Sequence, residues 1–180
     1  MVKQKIRRKK KGLSRKLEGV YLRNFIFGVD DSLVSTVGLL SGIAIANVPR
    51  SVIFVTGLVY LFVEAFSMAM GSILSEHSVE EYERRKETPL GKPLAAGSVM
   101  FFSYFISGFI PLLPYLMIPG HTAFWVSISA STVALFGLGM INAKMFGTNM
   151  IRKGTEMLVI GGSAIVIGIL VGRFFILPVA

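Results

Sequence analysis

Residues 52–74 read Val-Ile-Phe-Val-Thr-Gly-Leu-Val-Tyr-Leu-Phe-Val-Glu-Ala-Phe-Ser-Met-Ala-Met-Gly-Ser-Ile-Leu, an apolar run with a single charged residue, Glu64, near its middle. A helix crosses the hydrocarbon core of a bilayer, about 30 Å thick, with about 20 such residues. Four more runs of this kind flank it: Asn24–Ala46, Leu94–Ile118, Ala123–Asn142 and Met157–Leu177. Turn chemistry separates them, at Asn47-Val48-Pro49, at Pro89-Leu90-Gly91-Lys92-Pro93 and at Pro119-Gly120. The fourth break, from Lys144 to Gly154, is short and basic. The pattern predicts an all-α integral membrane protein with five transmembrane helices, at about 24–46, 52–74, 94–118, 123–142 and 157–177, in one domain over residues 24–178. No internal repeat is evident.

Composition points the same way. Of 180 residues, 53% are hydrophobic and only 16% charged, and the mean hydropathy is +0.67. Soluble domains carry about 25% charged residues, so too few are present to cover a water-facing surface. The charges also cluster, in a basic tail at 1–23 and a short acidic segment at 75–93. There is no cysteine and there are only two histidines, His77 and His121, which excludes disulfide frameworks, thiol catalysis and a multi-histidine metal site within one chain. No nucleotide-binding or HExxH pattern occurs, and no nucleophile–base pairing is visible, so the chain does not read as an enzyme.

The net charge of +9 does not indicate nucleic acid, because more than half of the 19 Lys and Arg precede position 24 and read as an anchor to anionic lipid. With the N-terminus in the cytoplasm, every Lys and Arg except Arg50 and Arg173 falls on the cytoplasmic side. That bias predicts a cytoplasmic N-terminus and an outer C-terminus. A cleaved signal peptide is the rival reading of the first run, with Ala44-Ile45-Ala46 as its small-x-small site. The long basic region and the two aspartates that interrupt the apolar run argue against it.

A carboxylate at the bilayer centre costs about 2.5–3.5 kcal/mol on insertion scales, so each one needs a reason. Asp30 and Asp31 lie about 10–12 Å into the first helix at 1.5 Å per residue, and Asp30 is shallow enough to snorkel. Glu64 is too short to reach water from the midplane. It must be protonated, paired or open to a wet cavity. Helical spacing puts Ser67, Met68, Gly71 and Ser75 on its face, and puts Ser35, Gly38 and Gly42 on the face of Asp31. The glycines predict close helix packing. Carboxylate oxygen with thioether sulfur is a mixed hard and soft donor set that suits Fe2+ or Mn2+. Elsewhere methionines read as gap fillers.

The segment Ser75–Glu87 reads as the second helix continuing into the cytoplasm as far as Pro89. Glu76, Glu80, Glu83 and Glu87 recur at spacings of 4, 3 and 4. Two readings stand: a solvated face laced with Glu80–Arg84 and Glu81–Arg85 pairs, or an acidic face that captures divalent cations.

Gly28-Val29-Asp30-Asp31-Ser32-Leu33-Val34-Ser35-Thr36 resembles the G-x-N-D-G-x-V-S-T signature of the vacuolar iron transporter family. Ser67-Met68-Ala69-Met70-Gly71 is similar to its S-M-A-x-G run, and Ile110-Pro111-Leu112-Leu113-Pro114-Tyr115 to its I-P-L-x-P segment. The resemblance implies a homodimer that moves Fe2+ or Mn2+ out of the cytoplasm against protons, along the two-fold axis between paired first and second helices. It implies that Asp31 and Met68 occupy metal-pathway positions. Ser32 and Asp30 depart from the signature's Gly and Asn. Tyr60 stands where some members carry a polar residue, with Glu64 one turn on along the same face. Residues 75–93 leave no room for the three-helix cytoplasmic domain of many members.

The expectation is therefore a multi-pass Fe2+ or Mn2+ transporter. Its pathway residues are Asp31, Glu64, Met68, Asp30 and Ser35, its capture face is Glu76, Glu80, Glu83 and Glu87, and Gly38, Gly42 and Gly71 pack closely. No cofactor is permanently bound, and H+ is the coupling ion. Its partners are membrane lipid, divalent metal and a second copy. It would sit in the plasma membrane of a prokaryote, or in a vacuolar or other internal membrane of a eukaryote. The competing expectation is a non-transporting scaffold whose carboxylates pair with donors such as Asn142 or Lys144. Pro111 and Pro114, with Gly161, Gly162, Gly168 and Gly172, are candidate bending points.

Overall fold

Each apolar run becomes one helix, and the helices overrun the runs that mark them. The computed structural model describes the backbone of residues 2–46 and 48–176, and the side chains of 17–46 and 48–174. It has α1 (Val2–Ile45), α2 (Arg50–Arg84), α3 (Gly91–Met117), α4 (Thr122–Phe146) and α5 (Met150–Ile176), and no strand among the described residues. All five are long and apolar enough to span a bilayer. The chain is an integral multi-pass membrane protein. The side chains of most of the basic tail, and Asn47 of the first predicted turn, lie outside the described residues.

The overruns have a local cause. Polar flanks rich in Glu, Lys and Arg are good helix formers, so a helix continues past the apolar run until a turn residue stops it. Gly147, at φ 67, ends α4 in the left-handed conformation. The Asn149 side-chain oxygen then accepts from the backbone N–H of Ile151 and Arg152, both at 3.1 Å, and so caps α5. The break predicted from Lys144 to Gly154 thus shrinks to residues 147–149. The reverse correction applies to α2, which stops at Arg84 rather than running on to Pro89. Arg85 takes a left-handed φ of 53, and Thr88, preceding a proline, is biased away from helix.

α1 packs against all four other helices, and α3 against α1, α2 and α4. Tyr104, Leu112 and Tyr115 of α3 share a core with Leu40 of α1, Ile53, Leu61 and Ala65 of α2, and Ala123 of α4. Pro111 and Pro114 lie buried inside α3 instead of ending it. The helix runs through them, and the Ser127 hydroxyl of α4 donates to the Pro111 carbonyl at 2.7 Å.

α1 and α5 run in the same direction with their backbones nearly touching. A Cβ built on Gly168 would lie 2.1 Å from the Gly38 carbonyl oxygen, and one on Gly172 would lie 2.3 Å from that of Gly42. The α1 glycines Gly38 and Gly42 therefore serve α5. Gly168 and Gly172, expected as bends, are seats for α1 within a continuous helix. A Cβ built on Gly71 would meet nothing within 4 Å among the described residues, so the close packing expected there is not made within the chain.

Candidate functional site

The groove between α1 and α2 starts at Asn24. This side chain is buried in the first apolar run, donates to the Val20 carbonyl at 3.1 Å, and accepts from the Ser72 hydroxyl at 2.8 Å. It ties the two helices together. Nearby, the Arg23 guanidinium pairs with the Glu76 carboxylate. Met68 and Ser67 line a cavity of about 630 Å3 with Gly71, Ser75, Asn24 and Phe27. The face expected below Glu64 therefore exists as a groove wall, opposite α1.

Asp31 is half-buried and lies within charge–charge range of Glu64, also half-buried. Neither makes a hydrogen bond or ion pair to a described residue. Asn142 and Lys144, the donors a scaffold would use, do not pair with them. Successive helical residues point about 100° apart, so Asp30 cannot share this direction. It lines a separate cavity of about 370 Å3 with Asn142 and Phe146 of α4. One side-chain oxygen of Asp30 and that of Asn142 are buried without a partner among the described residues.

Ser35 is engaged elsewhere, its hydroxyl 2.8 Å from the Tyr104 hydroxyl. Tyr60 also hydrogen-bonds that hydroxyl, and Ser32 donates to the Tyr104 carbonyl at 2.6 Å. Tyr104 is fully buried, so one α3 residue fixes the positions of two α1 serines and one α2 tyrosine around the carboxylates. Sequence reading missed it, because a tyrosine in an aromatic-rich run carries no distinguishing signal. It also missed Arg23–Glu76, although a lone cation and a lone anion each sit at the membrane-edge end of an adjacent span.

The acidic extension of α2 turns inward. Glu76, Glu80 and Glu83 line a cavity of about 180 Å3 against Leu17 and Tyr21 of α1 and Pro93 of α3. Glu80 pairs with Arg84 at 2.6 Å and with Lys92 at 3.2 Å. Glu81 pairs with His77 at 3.5 Å, not with Arg85. Glu87 is off the helix and exposed, so the four-residue face expected at spacings of 4, 3 and 4 stops at Glu83. Among the described residues, no three His, Asp or Glu side chains come together as a metal site.

The chain matches the family model described as VIT family over residues 22–90 and 84–173, two stretches that meet at the α2–α3 link. It is similar to vacuolar iron transporter homolog 2 of Oryza sativa subsp. japonica, 32% identical over 173 residues, covering 86% of this chain and 90% of that protein. It is also similar to vacuolar iron transporter homolog 1 of Arabidopsis thaliana, 26% identical over 153 residues, covering 79% and 76%. Vacuolar iron transporter 1 of Tulipa gesneriana is 24% identical over 203 residues, covering 79% of this chain and 82% of the tulip protein. That alignment is longer than this chain's 180 residues, so the tulip protein carries residues with no counterpart here.

Proposed function

The chain belongs to the VIT family, and from that premise we propose that it transports Fe2+ or Mn2+ out of the cytoplasm in exchange for protons. The observation that carries this reading is the α1–α2 pair Asp31 and Glu64, two half-buried carboxylates within charge–charge range of each other, neither with a hydrogen bond or ion pair among the described residues. Ionisable side chains inside a membrane mark ion pathways by default. An unpaired couple is there for something that comes and goes.

Metal and protons compete for the same carboxylate oxygens, so a divalent ion at this pair is exchangeable against protons. Met68, one turn from Glu64, supplies a soft donor to the same groove. Two carboxylates and a thioether are too few to enclose the ion. A second copy related by a two-fold axis doubles the set, and the outward faces of α1 and α2 would carry that axis. Ser35 and Tyr104 then act as positioning residues, and Asp30 as a flanking charge outside the ligand set. Glu76 and Glu80, already paired with cations, make a weaker capture face than their spacing suggested.

The excess of Lys and Arg on one side of the bundle supports a cytoplasmic N-terminus, with the α2 extension on the cytoplasmic side. The membrane follows from the cell: the plasma membrane in a prokaryote, a vacuolar or other internal membrane in a eukaryote. The test is uptake of Fe2+ and Mn2+ into proteoliposomes with and without a pH gradient, comparing wild type with Asp31→Asn and Glu64→Gln. Gradient-dependent flux lost in both variants is expected. Wild type that is folded and oriented yet moves neither metal under any gradient refutes the reading and leaves the scaffold.

A further inference from the structure

One face of α2 carries Met68, Ser72, Glu76, Glu80 and Glu83 at helical spacing, from mid-span out to the acidic end. Met68 and Ser72 line the groove of about 630 Å3, and the three glutamates line the cavity of about 180 Å3 beyond it. α3 backs both, with Met100 on the inner space and Pro93 on the outer. The two spaces are consecutive levels along the same pair of helices.

Two polar links bridge α1 and α2 at the boundary. The Arg23 guanidinium pairs with the Glu76 carboxylate, and one helical turn deeper the Ser72 hydroxyl donates to Asn24 at 2.8 Å. Of the two spaces Arg23 lines the inner and Glu76 the outer, so their ion pair stands across the passage between them. The backbones on either side are seated on α3. A Cβ on Gly28 would lie 3.1 Å from the Met100 carbonyl oxygen, and one on Gly97 would lie 2.8 Å from that of Ala69. What moves at this level is therefore side chain. The Arg23 side chain is 65% exposed and that of Glu76 15%. An ion pair with one partner in water is weak, so the guanidinium can swing outward while the carboxylate stays lodged. Glu80, one turn out, is held by both Arg84 and Lys92. A divalent cation in the outer cavity competes with Arg23 for Glu76, with about twice the Coulomb attraction at equal distance.

We propose that the Arg23–Glu76 pair is a cation-operated latch between the outer cavity and the metal groove. A divalent ion that takes Glu76 releases Arg23 and opens the passage towards Met68. The latch rests on the transport reading above and adds the residues that control access to its pathway.

The chain has no cysteine, so thiols introduced at the latch react alone. Arg23→Cys/Glu76→Cys in proteoliposomes is bridged with a short alkyl bis-methanethiosulfonate, and the linkage is verified by mass. Flux of the metal that wild type carries is measured before bridging, after it, and after dithiothreitol cleaves the linker. Flux is expected to fall to that of empty liposomes when bridged and to return on cleavage, while the reagent leaves wild type unaffected. Unbridged Arg23→Gln is expected to lower the half-saturating metal concentration by about two- to fivefold, the worth of an exposed ion pair that the metal no longer has to break. Should the reduced double variant not fold, Asn24→Cys/Ser72→Cys gives a second lock, close enough for a direct disulfide. Undiminished flux through the bridged protein overturns the latch and leaves a structural tie, as does an Arg23→Gln half-saturation that does not fall. Wild type without flux under any gradient refutes transport itself and the latch with it, so the two failures are told apart.

Discussion

One added methyl group at Gly168 tests the α1–α5 contact. An ideal Cβ there meets backbone only: the Gly38 carbonyl oxygen at 2.1 Å, its carbon at 2.8 Å and its Cα at 3.2 Å. Side chains escape an intruder by changing rotamer, but backbone atoms do not. Bringing that oxygen to ordinary contact moves the helices apart by roughly 1 Å, and a gap of that size forfeits a quarter to a half of each neighbouring dispersion contact. Overpacking of this kind costs about 1–3 kcal/mol. Gly162 on the same helix has nothing within 4 Å, so its replacement meets no clash and gains about 0.5–1 kcal/mol of helix propensity. Thermal unfolding of the purified protein in detergent, followed by circular dichroism, compares the two variants. For a chain of this length 1 kcal/mol corresponds to about 2–4 °C, so Gly168→Ala is expected to melt about 2–12 °C below wild type. Gly162→Ala is expected to melt at or slightly above wild type. Equal midpoints for the two would refute a backbone-on-backbone contact between α1 and α5.

Three further outcomes are expected. Asp30→Asn retains gradient-driven metal uptake within a few-fold of wild type while Asp31→Asn loses it, because Asp30 faces Asn142 and not Glu64; equal losses in the proteoliposome assay would contradict that division. Asn149→Ala removes two capping bonds at the start of α5 and lowers stability by about 0.5–2 kcal/mol, read as a drop in melting midpoint. Tyr104→Phe leaves the Ser35 and Tyr60 hydroxyls without their shared partner and costs about 1–3 kcal/mol, whereas Phe102→Leu, on an exposed face, changes the midpoint little.

The five helices were legible because lipid imposes a length and an apolarity that no soluble helix shares. Their ends were legible only in part: the extension of α2 through Ser75–Arg84 was read, but not its stop, and α5 starts at Met150, seven residues before its apolar run. The departure at Arg85 depends on a left-handed conformation that arginine does not advertise. Asp31, Glu64 and Met68 stand out as candidates because charge in an apolar run and spacing of four along a helix are both visible in one dimension. Which neighbour each helix faces is not. Spacing grouped Ser35, Gly38 and Gly42 with Asp31, yet Ser35 bonds α3 and the two glycines lie against α5. Likewise the glutamates of 76–83 read as a solvent face until Arg23 and Lys92, distant in sequence, arrive beside them.

The link from Arg85 to Leu90 has a modular consequence. Its two ends are held together by the core itself, through the Glu80–Lys92 pair and the burial of Pro93, so the connecting segment carries little of the fold. Each doubling of a flexible loop costs only about 0.6 kcal/mol in closure entropy. Four doublings, from a handful of residues to about a hundred, amount to roughly 2.4 kcal/mol. A whole soluble module can therefore be spliced into this position or removed from it at a cost the bundle tolerates, and the five-helix core serves as the same chassis with or without an accessory.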